Sequence, residues 1–304
     1  KKSRKDRIIN MEESNSTTTN SIRKFRRGIT HSGIFHTDDI ASTAFLLLLN
    51  PDLEIIRVTD IKASDAAPDE IVYDIGLGEF DHHQPGRRMA EPDVPYSAFG
   101  LLWDKYGREL LAEQGFYEVE QAHKLFAETI VRCVDIGDNK GYKNVKGFYE
   151  NLLITRFTPM WYELPEGSSP EDIEETERVY SRQFWNAVDF TTLLFDNWMR
   201  DLWLKVEAAP QEKRIFEEAL AGLDHGILEL PRYIPWRQHL DPTTDIKLVI
   251  IPHERGGYAV TTVDTDILRL RPNPHFTFVH PSGFMATAPT LEEARAGARE
   301  SIRR

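Results

Sequence analysis

A chain of 304 residues and 35.1 kDa, 40% hydrophobic and 28% charged, has the make-up of an ordinary globular protein with room for two modest domains. Its longest greasy stretch, Ala44 to Leu49, falls far short of the roughly 18 apolar residues that cross a bilayer, so no membrane partner is expected. A single cysteine, Cys133, excludes an internal disulfide framework and thiolate-built zinc sites, and it fits a reducing compartment such as the cytoplasm.

The formal net charge of −12 is unevenly spread, because residues 1–27 carry nine Lys/Arg against three Asp/Glu. The acidic body does not attract nucleic acid through its bulk field, so any such binding has to be local. The opening 27 residues are polar, rich in Ser, Thr and Asn around Asn15 to Ser21, and have no apolar face or h-region. They read as a basic, disordered tail and not as a secretory signal.

From Gly28 the pattern becomes ordered. Gly28 to Thr30 enters a first strand that ends at His31. Asp38 to Leu49 reads as a helix, capped by Thr37 or Asp38, with Ile40, Ala44, Leu47 and Leu48 on one face. Leu53 to Val58 and Ile71 to Ile75 are the next strands. Strands alternating with helices predict an α/β fold with a parallel sheet, whose ligands bind outside the carboxyl ends of the strands. Tyr96 to Tyr106 and Glu118 to Asp135 are expected helices. After a breaker-rich segment, Ser169-Pro170 opens a helical stretch to about Val206, whose Phe184, Trp185, Leu194 and Trp198 are read as packing residues. Beyond Asp224-His225-Gly226, Ile246 to Ile251 and Tyr258 to Val263 form a predicted hairpin, Phe276 to His280 a strand and Leu291 to Ile302 a closing helix. The expected division is therefore a tail (1–27), a metal-binding domain (28–165), a helical linker (166–222) and a smaller α+β domain (223–304).

Chemistry concentrates in four clusters, each at the end of an apolar run: His31 to Asp39, Asp74, Asp81-His82-His83, and Asp135 with Asp138. Placing charge there is costly unless a cation or an anionic substrate compensates the desolvation. Oxygen-rich sets of this kind suit manganese or magnesium, with zinc an alternative where histidines dominate. Asp74, at a strand end, is placed to bridge two ions. His82 can ligate through one nitrogen, and His83 remains free for substrate phosphate or proton transfer. Asp135 is expected to complete the second ion. Singly, each residue has a plainer reading, such as helix-dipole acids for Asp38 and Asp39 or turn chemistry for Asp138-Asn139.

In sequence order, His31…His36-Thr37-Asp38, Asp74, Asp81-His82-His83 and Asp135 resemble the four-motif signature of the DHH phosphoesterase superfamily. Within it, Thr30 to His36, Tyr73-Asp74-Ile75-Gly76, Asp81-His82-His83-Gln84, Ser97-Ala98-Phe99-Gly100, Pro235 to Leu240 and Phe278 to Phe284 are similar to motifs of the Myg (melanocyte-proliferating-gene) family. Thr37 and Asp39 stand where the Myg pattern usually has Cys and Glu, and Lys140 where it tends to have Gly, without removing a proposed ligand. The resemblance implies a two-domain Mn²⁺-dependent phosphoesterase with its site in the cleft between domains. His31, His36 and Asp74 would hold one ion; Asp38, Asp74, His82 and Asp135 would hold the other.

Under that reading the catalytic residues are His83, Asp38 and Asp74, with Asp81 and Asp138 supporting the ligands from behind. Substrate would be met by His83, Arg87, His280, Ser282 and Gly283, the last three in a strand-end turn suited to phosphate. Arg88, Arg237, Arg255 and Arg271 are further basic residues for phosphate, each taken singly better read as a solvated charge. The implied activity is 3′-to-5′ exonuclease action on RNA or short oligonucleotides. The alternatives are hydrolysis of small nucleotides or phosphoanhydrides, and a metal-binding regulatory protein without turnover. A homo-oligomer is compatible with all three.

Overall fold

Three short strands hold the centre of the N-terminal half in the computed structural model, which describes residues 21–145 and 154–303. The expected disordered tail therefore lies, up to residue 20, outside the described residues. Strands β1 (Arg27–His31), β2 (Glu54–Val58) and β3 (Glu70–Val72) form a parallel sheet in the order β2-β1-β3. Ile29 sits opposite Ile56 on one side and Val72 on the other, so the middle strand is flanked by apolar side chains. Parallel neighbours need a crossover, and α1 (Thr37–Leu49) supplies the first. This helix starts one residue earlier than its apolar pattern suggests. His36 occupies the cap position, and the Asp39 carboxylate accepts the His36 backbone N–H at 2.9 Å.

A ribbon of β4 (Met89–Glu91) and β5 (Val94–Pro95) leads into α2 (Ala98–Glu113), which begins at Ala98 because the Ser97 hydroxyl accepts the Gly100 N–H. The helix expected over Glu118 to Asp135 runs further. It comprises α3 (Val119–Phe126), a π-helical turn over Ala127–Val131, and α4 (Arg132–Lys140), closed by Gly141 at φ +83°. Wide turns of this type shift the face of everything beyond them, and here the residues carried round include Asp135 and Asp138.

The long helix α5 (Pro170–Trp203) belongs with this first unit, which ends at Trp203. Helix α1 packs against both α2 and α5. Phe45, Phe99, Trp103, Phe126 and Phe195 are all buried where they meet, with ring centroids 6.0 Å apart for Phe45–Phe99, 4.2 Å for Trp103–Phe126 and 5.9 Å for Phe99–Phe195. Truncating any one of these rings to alanine would cost about 3–5 kcal/mol. Much of the stretch expected as a linker is thus core. Its residues divide between α5, a π-helical turn (Leu204–Ala208) and α6 (Ala209–Leu220).

The second unit, from Leu204, is built on a five-stranded sheet of β6 (Ile227–Glu229), β7 (Leu248–Pro252), β8 (Tyr258–Thr262), β9 (Phe278–Val279) and β10 (Met285–Ala288). Their order is β6-β7-β8-β10-β9, antiparallel except for the β6–β7 pair. Alternating residues of β7 face opposite ways: Val249 and Ile251 pack with Phe216 of α6, and Leu248 and Ile250 pack with Ala294 and Ala298 of α7 (Leu291–Arg303). The mixed α/β class, the parallel first sheet, the hairpin and the closing helix all follow the sequence pattern.

Candidate metal centre

His31 ends β1, and the chain then loops through Gly33 to His36 and α1, which delivers Asp38 and Asp39 from its first turn. Asp74 lies just past β3 with φ +55°, in the left-handed region that aspartate tolerates better than most residues. Its N–H is bonded to the Phe80 carbonyl at 3.0 Å. Gly76, at φ +86°, makes the tight return: a Cβ there would sit 2.9 Å from the Ala63 backbone nitrogen. The chain therefore turns twice within a few residues and brings Asp81, His82 and His83 back to the same strand ends. Helix α4 contributes Asp138 from the other side.

These side chains converge. Asp74 Oδ2 is 3.3 Å from His31 Nε2, and its Oδ1 is 3.3 Å from His82 Nε2. His31 Nε2 is also 3.2 Å from Asp39 Oδ2, while His82 Nε2 is 3.3 Å from Asp138 Oδ2 and 3.7 Å from Asp38 Oδ2. Three groups result, the first two sharing Asp74: His31, Asp39 and Asp74; Asp74, His82 and His83; His36, Asp38 and Asp138, each with its ligand atoms within 4.8 Å of one another. Behind them, Asp81 takes the His83 N–H at 2.9 Å and the His83 Nδ1 at 2.8 Å, and its other oxygen takes the Leu77 N–H. The outer face of His83 is open, with 59% of the side chain exposed.

The donor set fits a divalent cation. Both Asp38 oxygens, Asp39 Oδ2, Asp74 Oδ1 and both His82 nitrogens are buried and make no hydrogen bond among the described residues. Buried polar atoms left in that state cost free energy unless something charged sits between them. The titration behaviour agrees. Burial, reinforced by Asp74, Asp138 and Asp39, pushes the Asp38 carboxyl well above the usual carboxylate range. Burial likewise raises Asp138. Burial would also raise Asp74, but the His31 and His82 imidazoles outweigh it and hold the group down to about 2. Burial opposes charge on His31, yet the Asp39 and Asp74 carboxylates carry it up to about 10. Two carboxylates raised in this way, Asp38 and Asp138, stand where a cation would otherwise offset their charge.

The groups open onto a cleft of about 940 Å³, whose lining includes His31, His36, Asp74, His82, His83, Arg87, Asp138 and Tyr142. All its lining residues belong to the N-terminal unit. Burial pushes the Tyr142 hydroxyl up to about 12, and it accepts the Thr37 N–H at 3.4 Å.

Of the residues singled out from sequence, His31, His36, Asp38, Asp74, His82, His83, Asp81 and Arg87 gather at this cleft or line it. Asp135 does not join them. Its Oδ1 accepts the Ser97 N–H and hydroxyl, both at 2.8 Å, and its Oδ2 pairs with Arg132 at 2.9 Å. A Cβ on Gly100 would collide with this carboxylate, so the glycine lets Asp135 seat against the start of α2. Burial raises the Asp135 carboxyl to about 6, against the opposing pull of the Ser97 bonds and Arg132.

His280, Ser282 and Gly283 lie in the C-terminal unit, where with Arg269 and Arg271 they line a hollow of about 390 Å³. The phosphate cradle expected there is already closed. The Ser282 N–H donates to His280 Nδ1 at 3.2 Å, and the Gly283 N–H donates to the His280 carbonyl at 2.8 Å. Arg88 is engaged by Asp104 at 2.7 Å, and Arg237 by the Thr262 and Val263 carbonyls.

Comparison with known sequences follows the same residues. The family model MYG1_exonuc, described as "Uncharacterised protein family (UPF0160)", matches residues 28–272. The chain belongs to this MYG1 family. It is 24% identical to the MYG1 protein of Saccharomyces cerevisiae, over 90% of this chain and 94% of the yeast protein. It is 23% identical to a Schizosaccharomyces pombe MYG1 protein, over 90% and 96%, and 28% identical to one from Caenorhabditis elegans, over 69% and 66%. No solved structure matches it significantly.

Two acids of this MYG1 chain have roles that their local sequence does not announce. Asp39 looks like a helix-dipole residue until its second oxygen is found facing His31. Asp138 and Asp135 are one helical turn apart, and spacing cannot choose between them. A usable signal was present: Arg132, three residues before Asp135, supplies that acid with a partner that Asp138 lacks.

Proposed function

We propose that this chain is a Mn²⁺-dependent phosphoesterase that trims RNA or short oligonucleotides from the 3′ end, through water activated at a two-ion centre. The observation that carries the reading is Asp74, whose two oxygens face separate histidine-and-carboxylate groups. A carboxylate so placed can join two cations at the close spacing used in phosphoester hydrolysis. His31, Asp39 and Asp74 would hold one ion, and Asp38, Asp74, His82 and Asp138 the other, with His36 grouped with Asp38 and Asp138 and not with His31 as the sequence suggests. An oxygen-dominated set with imidazoles favours manganese over zinc. When bound, the ions would supply a hydroxide-like nucleophile near neutral pH and neutralise charge at phosphorus.

The protein's own contribution is placement. Asp81 fixes the His83 ring through Nδ1, which leaves Nε2 facing the open cleft to meet a phosphate oxygen or deliver a proton to the leaving group. Arg87, on the same wall and held loosely by Asn139 at 3.3 Å, is the cation available to a second phosphate. The family label contains the word exonuclease in abbreviated form, which points the same way. One feature favours a second reading, hydrolysis of a small nucleotide or phosphoanhydride: among the described residues that line the cleft, Arg87 is the sole Lys or Arg.

The deciding experiment is Mn²⁺-dependent cleavage of end-labelled RNA, dinucleotides and pyrophosphate, with Asp74→Ala and His83→Ala as controls. Stepwise shortening of RNA from the 3′ end that disappears in both variants supports the exonuclease. Cleavage of the small substrates alone moves the function to the second reading. Manganese binding with no turnover of any phosphoester leaves a metal-binding protein and removes the enzyme.

A further inference from the structure

The loop that carries His31 and His36 is gripped on the side away from the cleft by residues that no ligand role absorbs. Arg57, on β2, donates from Nε to the His31 carbonyl at 3.1 Å and from Nη2 to the Gly33 carbonyl at 2.8 Å. Glu177, on α5, receives the Gly33 N–H on both carboxylate oxygens, at 3.2 and 3.1 Å. The two side chains face each other, with Arg57 Nη1 3.7 Å from Glu177 Oε1. Arg57 is almost fully buried, its guanidinium 4.3 Å from the centre of the Phe184 ring of α5. Phe35 adds an apolar anchor, packing edge-on to Phe184 at 6.0 Å and Tyr180 at 6.4 Å.

Gly33 explains why the grip is needed. It has φ +74°, and a Cβ there would meet nothing within 4 Å, so its conformation is not imposed by crowding. A turn of this kind has no packing to hold it, and the peptide groups on either side must be fixed by hydrogen bonds. Both are: one carbonyl goes to Arg57, one N–H to Glu177. A buried arginine is suited to the task because its planar fork holds two acceptors at once, which a lysine cannot do.

We propose that Arg57 and Glu177 are positioning residues of the metal centre, clasping the His31–Gly33 peptide groups so that α5 sets how tightly the ion beside His31 is held. This rests on reading the centre as a two-ion site. Without the clasp, the loop would have to be ordered by the ion itself, and the free energy of ordering would be taken from metal affinity. The ion beside His82 would be held from the turn after β3, from α4 and from the first turn of α1, none of them a peptide group that the clasp bonds, so the two ions should respond differently.

The test uses the full chain and counts Mn²⁺ by equilibrium titration, with electron paramagnetic resonance to separate an exchange-coupled pair from single ions. Arg57→Lys and Glu177→Ala should weaken one of the two ions by about 10–100-fold, the range for residues that orient ligands from behind. The other ion should stay near its wild-type affinity. The coupled signal should give way to the six-line signal of an isolated ion at limiting manganese. Glu177→Gln, which keeps an oxygen for the Gly33 N–H on a partly exposed side chain, should restore most of the loss. Adding it to Arg57→Lys should cost less than the sum of the two. Unchanged affinity for both ions in Arg57→Lys and Glu177→Ala overturns the inference. So does equal weakening of both ions with a lower melting temperature of the metal-free protein, since that marks support of the fold alone. A wild-type chain that binds no manganese removes the two-ion reading itself, which the other outcomes leave intact.

Discussion

Asp138 Oδ2 stands 3.3 Å from His82 Nε2 on the cleft wall, with no arginine paired to it among the described residues. Asp135, one turn earlier on the same helix, is sealed under Ser97 with Arg132 on its second oxygen. The two acids should therefore fail differently. Asp138→Ala is expected to abolish the manganese-induced rise in melting temperature while leaving the metal-free protein as stable or slightly more so, because it relieves crowding among buried acids. Asp135→Ala is expected to cost about 1–3 kcal/mol, by leaving the buried Ser97 donors without their acceptor, while Arg132 keeps Glu91 and the Ala90 carbonyl. Denaturant titration with and without manganese separates the cases. Metal loss in a stably folded Asp135→Asn protein would return that residue to the ligand set.

Metal removal should loosen the N-terminal unit. An ion at 100 times its dissociation constant adds about 2.7 kcal/mol to the folded state. In a chain of this size that is a rise of about 5–10 °C in the melting transition of the unit that binds it. Calorimetry of the chelated protein, then of the same sample with manganese restored, measures the shift. Asp74→Asn should reduce it towards zero, since both ions lean on that carboxylate. A full shift retained in Asp74→Asn would contradict the bridging role.

The bond from Asp81 to His83 makes a narrower claim. Asp81→Asn keeps a similar shape but no longer orients the ring as an anion can, and turnover should fall by about 10–100-fold. Manganese stoichiometry should be unchanged, because Asp81 faces His83 Nδ1 and the Leu77 N–H, away from the His82 groups. Loss of an ion in this variant would show that Asp81 supports the ligands and not the chemistry.

His123 gives a pH dependence remote from the centre. Its ring stacks on Trp103 at 5.3 Å, with Nε2 3.1 Å from the Trp103 carbonyl. Burial lowers its pKa, the Trp103 carbonyl opposing and nearby Arg108 reinforcing the shift. A histidine whose folded pKa lies below its unfolded value near 6.5 contributes stability above that pH, and the contribution is lost as the pH falls through the folded pKa. In chelated protein, His123→Gln should therefore lose less melting temperature than wild type between about pH 7 and pH 5. Parallel curves would exclude His123 as a contributor to acid sensitivity.

Much of this centre could be read along the chain. His31, Asp74 and His82-His83 follow short apolar runs, and although each has a plainer reading alone, several such clusters in order have few explanations besides a shared ligand. The mixed α/β class, the first three strands, the β7–β8 hairpin and the closing helix were equally plain, because period-2 and period-3.6 patterns are local properties. The long aromatic helix was legible as packing but not as to where it packs. Phe184 and Phe195 show only that a partner exists; that α1, α2 and Arg57 are the partners is a fact of three dimensions.

Residue types, their order and the sheet they converge on are legible along the chain, since these depend on neighbours a few positions away. That Asp39 belongs with His31, that Asp138 and not Asp135 meets His82, which Arg132 only hints at, and that Glu177 reaches back to Gly33 across 144 residues are settled by the packing of the elements. Each of those choices is made by the angle at which one element crosses another. A π-helical turn before α4 and a left-handed residue after β3 alter those angles, and composition, spacing and hydrophobic period carry no record of either.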